Sequence, residues 1–183
     1  MTTHEPMPEF SRLVQADAVQ RKEVVEVIEA NEAERRALAE RFELEGIDRL
    51  KATVRLKRVR GDEMVRVTGE LEAEVVQTCV VTLEPVHNTV QDSFEALFAP
   101  ESLVPEPSEE IEFDASILEE DIIEPFVNGR IDIGELTAQH LSLALDPYPR
   151  CPGVELPVSA EPEEDVEERP NPFAALERLK RSH

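Results

Sequence analysis

Two cysteines, four histidines and one cluster of basic side chains are the groups in this chain that could do chemistry. Cys79 lies in Gln77-Thr78-Cys79-Val80-Val81-Thr82-Leu83-Glu84-Pro85-Val86, and Cys151 in Asp146-Pro147-Tyr148-Pro149-Arg150-Cys151-Pro152-Gly153. Two cysteines do not make a disulfide framework. A metal site built from Cys79, His87 and Cys151 would lack a fourth ligand. Two alternatives remain. Cys79 is a small buried apolar residue, or it forms a reversible disulfide with Cys151, which only geometry decides. Thr82-Leu83-Glu84-Pro85 reads as a turn between two strands, with Thr82 hydrogen-bonding locally and Pro85 fixing φ. Cys79, Thr82, Leu83, Pro85 and Cys151 are therefore assigned structural roles.

Catalysis has little to stand on. His4 and His183 lie near the chain ends, and His140 falls in the middle of a helical pattern, where an ordinary packed or surface histidine is expected. Ser93 and Ser142 lack a Gly-x-Ser-x-Gly context, and the six glycines are too scattered for a phosphate loop. Acid pairs such as Glu109-Glu110 and Glu119-Glu120 fit a solvated segment better than general acid–base work. The expectation is a non-enzymatic protein without a cofactor. The basic cluster is Arg49, Lys51, Arg55, Lys57, Arg58, Arg60 and Arg66. Arg49, Lys51, Arg55 and Lys57 share one parity, so a regular strand would place them on one face. With Arg58 they are the candidate RNA contacts. The alternative is a solvent face whose charges balance the acids, since aromatic stacking platforms are lacking.

These groups must be positioned by an α+β domain: an antiparallel meander, which could close into a barrel-like sheet, with two helices and a Pro-rich acidic tail. Residues 1–8 read as a loose end. Glu9 to Gln15 and Lys22 to Ile28 suit strands. Asn31 caps a helix, with Glu34 at the capping-box position, an apolar stripe of Ala33, Ala37, Leu38 and Phe42, and Gly46 as the stop. Ile47 to Val59 and Glu63 to Gln77 alternate as long strands of a hairpin turning at Arg60-Gly61-Asp62. A further strand runs from about Val86 to Phe98. Residues 101–129 hold ten acids and no Lys or Arg; they are expected to form a mobile acidic loop (100–130), with short strands allowed at Ile111–Phe113 and Asp121–Ile123. Asp132 then caps a second helix, with Glu135 at the box position and Leu136, His140, Leu143 and Ala144 facing one way. The domain thus spans 9–151. Residues 152–170 have linker composition, and 171–183 form an amphipathic motif in which Pro172 opens a short helix and Pro172, Phe173, Leu176 and Leu179 are the candidate partner-docking residues. So short a helix needs a surface to dock on.

The chain has 183 residues and a net charge of −22, from 41 acids against 19 bases. Such a field repels a phosphate backbone unless bases are segregated, and it favours a basic protein partner. With no secretory signal and no long apolar run, the cytoplasm is the expected location and no membrane is expected as a partner.

The Cys79 segment, the Cys151 segment and the terminal Asn171-Pro172-Phe173-Ala174-Ala175-Leu176-Glu177-Arg178-Leu179-Lys180, in this order and at these separations, resemble the bacterial YceD family, in its alphaproteobacterial form, over about residues 9–180. In that family the strand end at Cys79 often reads Cys-x-Arg-Cys, and a second cysteine pair follows near the end of the domain. Four such thiolates would suit a structural zinc ion. Here Val81 and Thr82 stand in place of the Arg and the second Cys, so coordination by four sulfurs is excluded by count. The resemblance implies a ribosome-biogenesis factor that supports synthesis, processing or stability of 23S ribosomal RNA. Its implied partner is a basic ribosomal protein or a large-subunit precursor (pre-50S) particle, with direct binding of 23S ribosomal RNA through the hairpin face as the alternative. No small-molecule substrate is expected.

Overall fold

The computed structural model describes residues 8–19, 22–59, 63–104 and 123–154. The compact unit ends at Pro152. The Arg60-Gly61-Asp62 turn, the Ile111–Phe113 segment, nearly all of the 152–170 linker, and the tail residues Pro172, Phe173, Leu176 and Leu179 lie outside the described residues.

The strands are β1 (Leu13–Gln15), β2 (Val24–Glu29), β3 (Gly46–Val59), β4 (Met64–Thr78), β5 (Pro85–Ala99), β6 (Ile123–Pro125) and β7 (Arg130–Asp132); the helices are α1 (Glu32–Arg41) and α2 (Ile133–Ala144). Strands β2 to β6 form one curled, half-barrel sheet in chain order, and β1 pairs with β7 in a separate ribbon. The architecture is α+β. Strands β2 to β5 are the antiparallel meander that alternation predicts. Strand β6 departs from it: Leu97, Phe98 and Ala99 pair in parallel with Ile123, Glu124 and Pro125. A parallel neighbour requires a long return connection, and residues 100–122 supply that length. The sheet is therefore mixed.

Period-two burial explains the core. Leu50, Ala52, Val54 and Leu56 of β3 lie beside Val65, Val67, Leu71, Ala73 and Val75 of β4, with Val90, Phe94 and Phe98 of β5 continuing the layer. Both helices add to this one cluster, α1 through Leu38 and Ala39, and α2 through Ile133, Leu136, Ala138 and Leu141. Burying a side chain of this size removes about 1.5–3 kcal/mol of exposed apolar cost. A smaller cluster of Met64, Leu97 and Ala99 covers the opposite sheet face near β6.

The helix ends follow the sequence in part. Asn31 Oδ1 accepts from Glu34 N–H at 3.0 Å, and Glu34 Oε2 accepts from Asn31 N–H at 2.8 Å, the reciprocal box. Glu34 is also held by Arg12 at 2.7 and 3.0 Å, which ties the first described segment to α1. The buried face of α1 is Leu38 and Ala39, while Ala33 is exposed. Gly46 is not the stop. Glu43 takes the left-handed position at φ 55, Leu44 N–H reaches Ala39 O at 2.9 Å, and Gly46 starts β3. In α2, Asp132 accepts from the Gly134 and Glu135 amides as a cap. The Glu135 carboxylate does not close a box but binds Arg41 at 2.8 and 3.0 Å, joining the two helices. Leu143 points to solvent and Leu141 takes the inner position. Between β6 and β7, Asn128 and Gly129 both have positive φ, and Val127 and Arg130 form the bridge across this two-residue turn.

Candidate functional site

Strand parity assigns the basic residues. Arg49, Lys51, Arg55 and Lys57 project from the non-core face of β3, as their shared parity requires. The register then decides what surrounds them. Lys51 sits between Glu29 of β2 and Glu72 of β4, Arg49 lies opposite Glu74, and Thr53 lies opposite Glu70. Arg55 pairs with Glu70 at 3.6 Å, and Arg66 with Glu95 of β5 at 3.0 Å. On this face the bases Arg49, Lys51, Arg55, Lys57 and Arg66 are thus matched in number by the acids Glu29, Glu70, Glu72, Glu74 and Glu95. Cross-strand pairs of opposite charge stabilise a sheet modestly and cancel its far field.

Arg58 is on the other side. Its guanidinium donates to Val19 O at 2.8 Å and to Ala16 O at 2.6 Å, closing the 3-10 turn Ala16–Ala18 against the sheet. Parity separates it from the candidate RNA contacts with which it was grouped, and its contacts make it structural.

The β4–β5 turn carries the other candidate residues. Cys79 N–H donates to Glu84 O at 2.8 Å and Leu83 N–H to Cys79 O at 3.0 Å, while Pro85 opens β5 opposite Thr78. The 145–151 segment is laid against this turn by three contacts. Val80 N–H donates to Pro149 O at 2.9 Å, Gln77 Nε2 donates to Asp146 O at 2.9 Å, and Cys151 N–H reaches Cys79 Sγ at 3.3 Å. Thr82 completes the cluster. Its N–H lies 3.4 Å from Cys79 Sγ, and its Oγ1 lies 3.4 Å from Cys151 Sγ. Both cysteines are free thiols. Their sulfurs share one hydrogen-bonded knot, although their positions are 72 residues apart in sequence.

These hydrogen bonds favour the thiolate. The Cys79 thiol is lowered to about 6, first by the Thr82 hydroxyl, then by the amides of Thr82, Cys151 and Val81, while burial pulls the other way. The donor set does not fit zinc. It offers two sulfurs and one neutral hydroxyl already bonded to them, and among the described residues no group of three or more His, Cys, Asp or Glu could hold a metal ion. His87 does not join the cysteines; it lies 3.8 Å from Asp48 on the non-core face. Hydrogen bonds hold the two chain segments together here.

Gln77 is a site residue that sequence reasoning left without a role. Its buried amide donates to Asp146 O and accepts from Asn88 Nδ2 at 3.0 Å. A Gln on the core parity of a strand, as here beside Val75, was the available signal. His140 has a packing role: its ring stacks on Phe94 with centroids 4.5 Å apart and planes 11° apart. Ser93 lies on the non-core face opposite Glu70, and Ser142 is exposed on α2. No helix is long and apolar enough to cross a membrane among the described residues.

No curated protein and no solved structure matches the chain. Residues 67–180 match the family described as large ribosomal RNA subunit accumulation protein YceD. That span begins within β4, includes Cys79 with its turn and Cys151, and reaches the terminal Asn-Pro-Phe stretch. On this match over most of its length, the chain belongs to the YceD family of large ribosomal RNA subunit accumulation proteins.

Proposed function

We propose that this protein is a non-enzymatic factor that supports 23S ribosomal RNA by binding a basic ribosomal protein, free or on a pre-50S particle, in the cytoplasm. The observation that carries this reading is the distribution of charge. Residues 101–129 hold ten acids and 155–168 hold seven, with no base in either, so seventeen of the 22 surplus negative charges belong to two segments. In the basic row of β3, Lys51 lies between Glu29 and Glu72, Arg49 lies opposite Glu74 and Arg55 pairs with Glu70, while Lys57 lies opposite Arg66. A phosphate chain gains affinity by releasing counterions from unneutralised bases, and a balanced face offers little of that. A Lys- and Arg-rich protein gains from the acidic segments instead. Direct RNA binding through Arg49, Lys51, Arg55 and Lys57 therefore draws less support.

The test is sedimentation of lysate on a sucrose gradient, following the protein by immunoblot, with and without RNase and at two salt concentrations. Association that survives RNase and is lost at raised salt supports a basic protein partner. Release by RNase alone would overturn it in favour of RNA. A variant with the 101–129 acids neutralised should lose its ribosomal-protein binding; unchanged binding would refute the role of that segment.

A further inference from the structure

The β4–β5 turn and the 145–151 segment break the polar character of the surface. Leu83 is 76% exposed and Tyr148 is 70% exposed, with Val80 also at the surface. Beside them runs an open groove of about 530 Å³, walled by Phe42, Leu44, Val80, Leu145, Pro147 and Pro149, with Gln77 and Thr78 also lining it. Two polypeptide segments meet there, tied by the Val80–Pro149 and Gln77–Asp146 hydrogen bonds.

One left-handed leucine lies beside the groove. Three non-glycine residues have left-handed φ among those described, and Asn128 is accounted for by its two-residue turn. Glu43, at φ 55 on the groove itself, is accounted for as the residue that ends α1, which leaves Leu83 at φ 61, in the turn that supplies Val80. A leucine held left-handed and facing water gains nothing for folding. Glycine would fit the backbone better and remove exposed apolar surface. Strain of this kind persists where function uses it.

The rim is acidic. Glu43 and Asp146 line the groove, Glu45 accepts from its Thr78, and none of the three forms an ion pair among the described residues. Arg41, which also lines it, is already taken by Glu9 at 2.9 Å and Glu135 at 2.8 Å. Apolar walls with unneutralised carboxylates at the edge complement a segment that presents an apolar anchor flanked by Lys or Arg. They disfavour a phosphate chain.

We propose that this groove is a protein-docking surface that takes a short basic segment of the partner, its apolar side chain seated against Val80, Leu145 and Pro147. This rests on the reading of the protein as a binder of basic ribosomal proteins, and it names the surface that does the binding. Leu83, in the turn that supplies Val80, and Tyr148, between Pro147 and Pro149, are the exposed apolar side chains next to the groove.

The test uses the full chain and purified large-subunit ribosomal proteins, presented one at a time in a surface-binding assay. At least one binds the wild type. Val80→Ser and Leu83→Gly weaken that same protein tenfold or more, whereas Leu13→Ser, at an exposed leucine elsewhere, leaves binding unchanged. Leu83→Gly unfolds at a temperature equal to or above that of the wild type, so its loss of binding cannot come from damage to the fold. Unchanged affinity in Val80→Ser and Leu83→Gly would overturn the groove and leave the proposed function standing. A wild type that binds none of these proteins would overturn both.

Discussion

Gly69 sits in the middle of β4, with Val54 on one side and Phe94 on the other. The Phe94 ring lies over it. A methyl group built on Gly69 would come within 3.0 Å of the Cζ, Cε1 and Cε2 atoms of that ring. The ring cannot slide away freely, since its other side is stacked on His140 of α2. In an ordinary strand, Gly→Ala would stabilise by about 0.5–1 kcal/mol through lower chain entropy. Here Gly69→Ala must push Phe94 out of its place. The upper limit of the cost is that of losing the ring, about 3–5 kcal/mol for Phe→Ala in a core, and overpacking in place costs about 1–3 kcal/mol. Subtracting the entropy gain leaves about 0–2.5 kcal/mol for overpacking in place and about 2–4 kcal/mol for displacing the ring; displacement is the expected case, a fall in Tm of roughly 5–15 °C for a domain of this size. The assay is urea unfolding followed by circular dichroism on a four-membered cycle of wild type, Gly69→Ala, Phe94→Ala and the double variant. Without the ring there is nothing to strike, so Gly69→Ala in the Phe94→Ala background should be neutral or mildly stabilising. The coupling between the two sites should then be about 2–4 kcal/mol and favourable to the double variant. Additive effects, or a Gly69→Ala midpoint equal to wild type, would refute this account of how β5 and α2 are seated.

Three further outcomes follow from contacts already described. Arg58→Met should destabilise by about 2–3 kcal/mol in urea, since two carbonyls lose a charged donor. Arg49→Ala and Lys57→Ala, on the solvent face, should stay within about 0.5 kcal/mol of wild type; equal losses at all three would show that the parity assignment is wrong. Glu43→Gly should raise stability by about 1 kcal/mol, because glycine adopts the helix-ending left-handed conformation without the side-chain penalty; a lower unfolding midpoint would contradict it. For Cys79, the folded value of about 6 lies below the unfolded thiol near about 8.5. The unfolded chain therefore holds the extra proton between these values, and the contribution to stability grows as pH rises from about 6 to about 8.5 and is lost as pH falls through about 6. Thiolate absorbance at 240 nm should show that transition, and Thr82→Val should move it upward; a midpoint unmoved in Thr82→Val would remove Thr82 as its main cause.

What was legible in the sequence was local. Alternation from Ile47 to Phe98 gave three long strands within a residue or two, because one buried face fixes every second position. Asn31 with Glu34 gave the start of α1, because the box is made by residues three apart. The pairing of β1 with β7, and of β6 alongside β5, was not legible, since three-residue strands carry no periodicity and their partners are far away in sequence. Asn128-Gly129 is a strong two-residue turn signal that the acidic run before it obscured. The basic row was found by parity, but its neutralisation was not. Glu70, Glu72 and Glu74 become neighbours of Arg55, Lys51 and Arg49 only once the hairpin register is set. The knot at Cys79 was half legible: cysteine type and turn chemistry marked the place, and only the fold brought Cys151 to it.

Under the proposed function, the separation of charge from shape gives the two halves of binding different signatures. Seventeen surplus acids on two segments act through the long-range field, which governs encounter and is screened within about 8 Å at physiological salt. The groove between the β4–β5 turn and the 145–151 segment acts only on contact, so it governs how long a partner stays. Neutralising acids in 101–129 should therefore slow association and flatten its salt dependence, while Leu83→Gly should leave association alone and speed release. A field without a groove would hold any basic protein equally, and a groove without a field would find its partner slowly. On the proposed function the groove chooses among the many basic proteins that the field attracts, and Leu83→Gly, which should fold at least as well as the wild type, is the variant that separates the two.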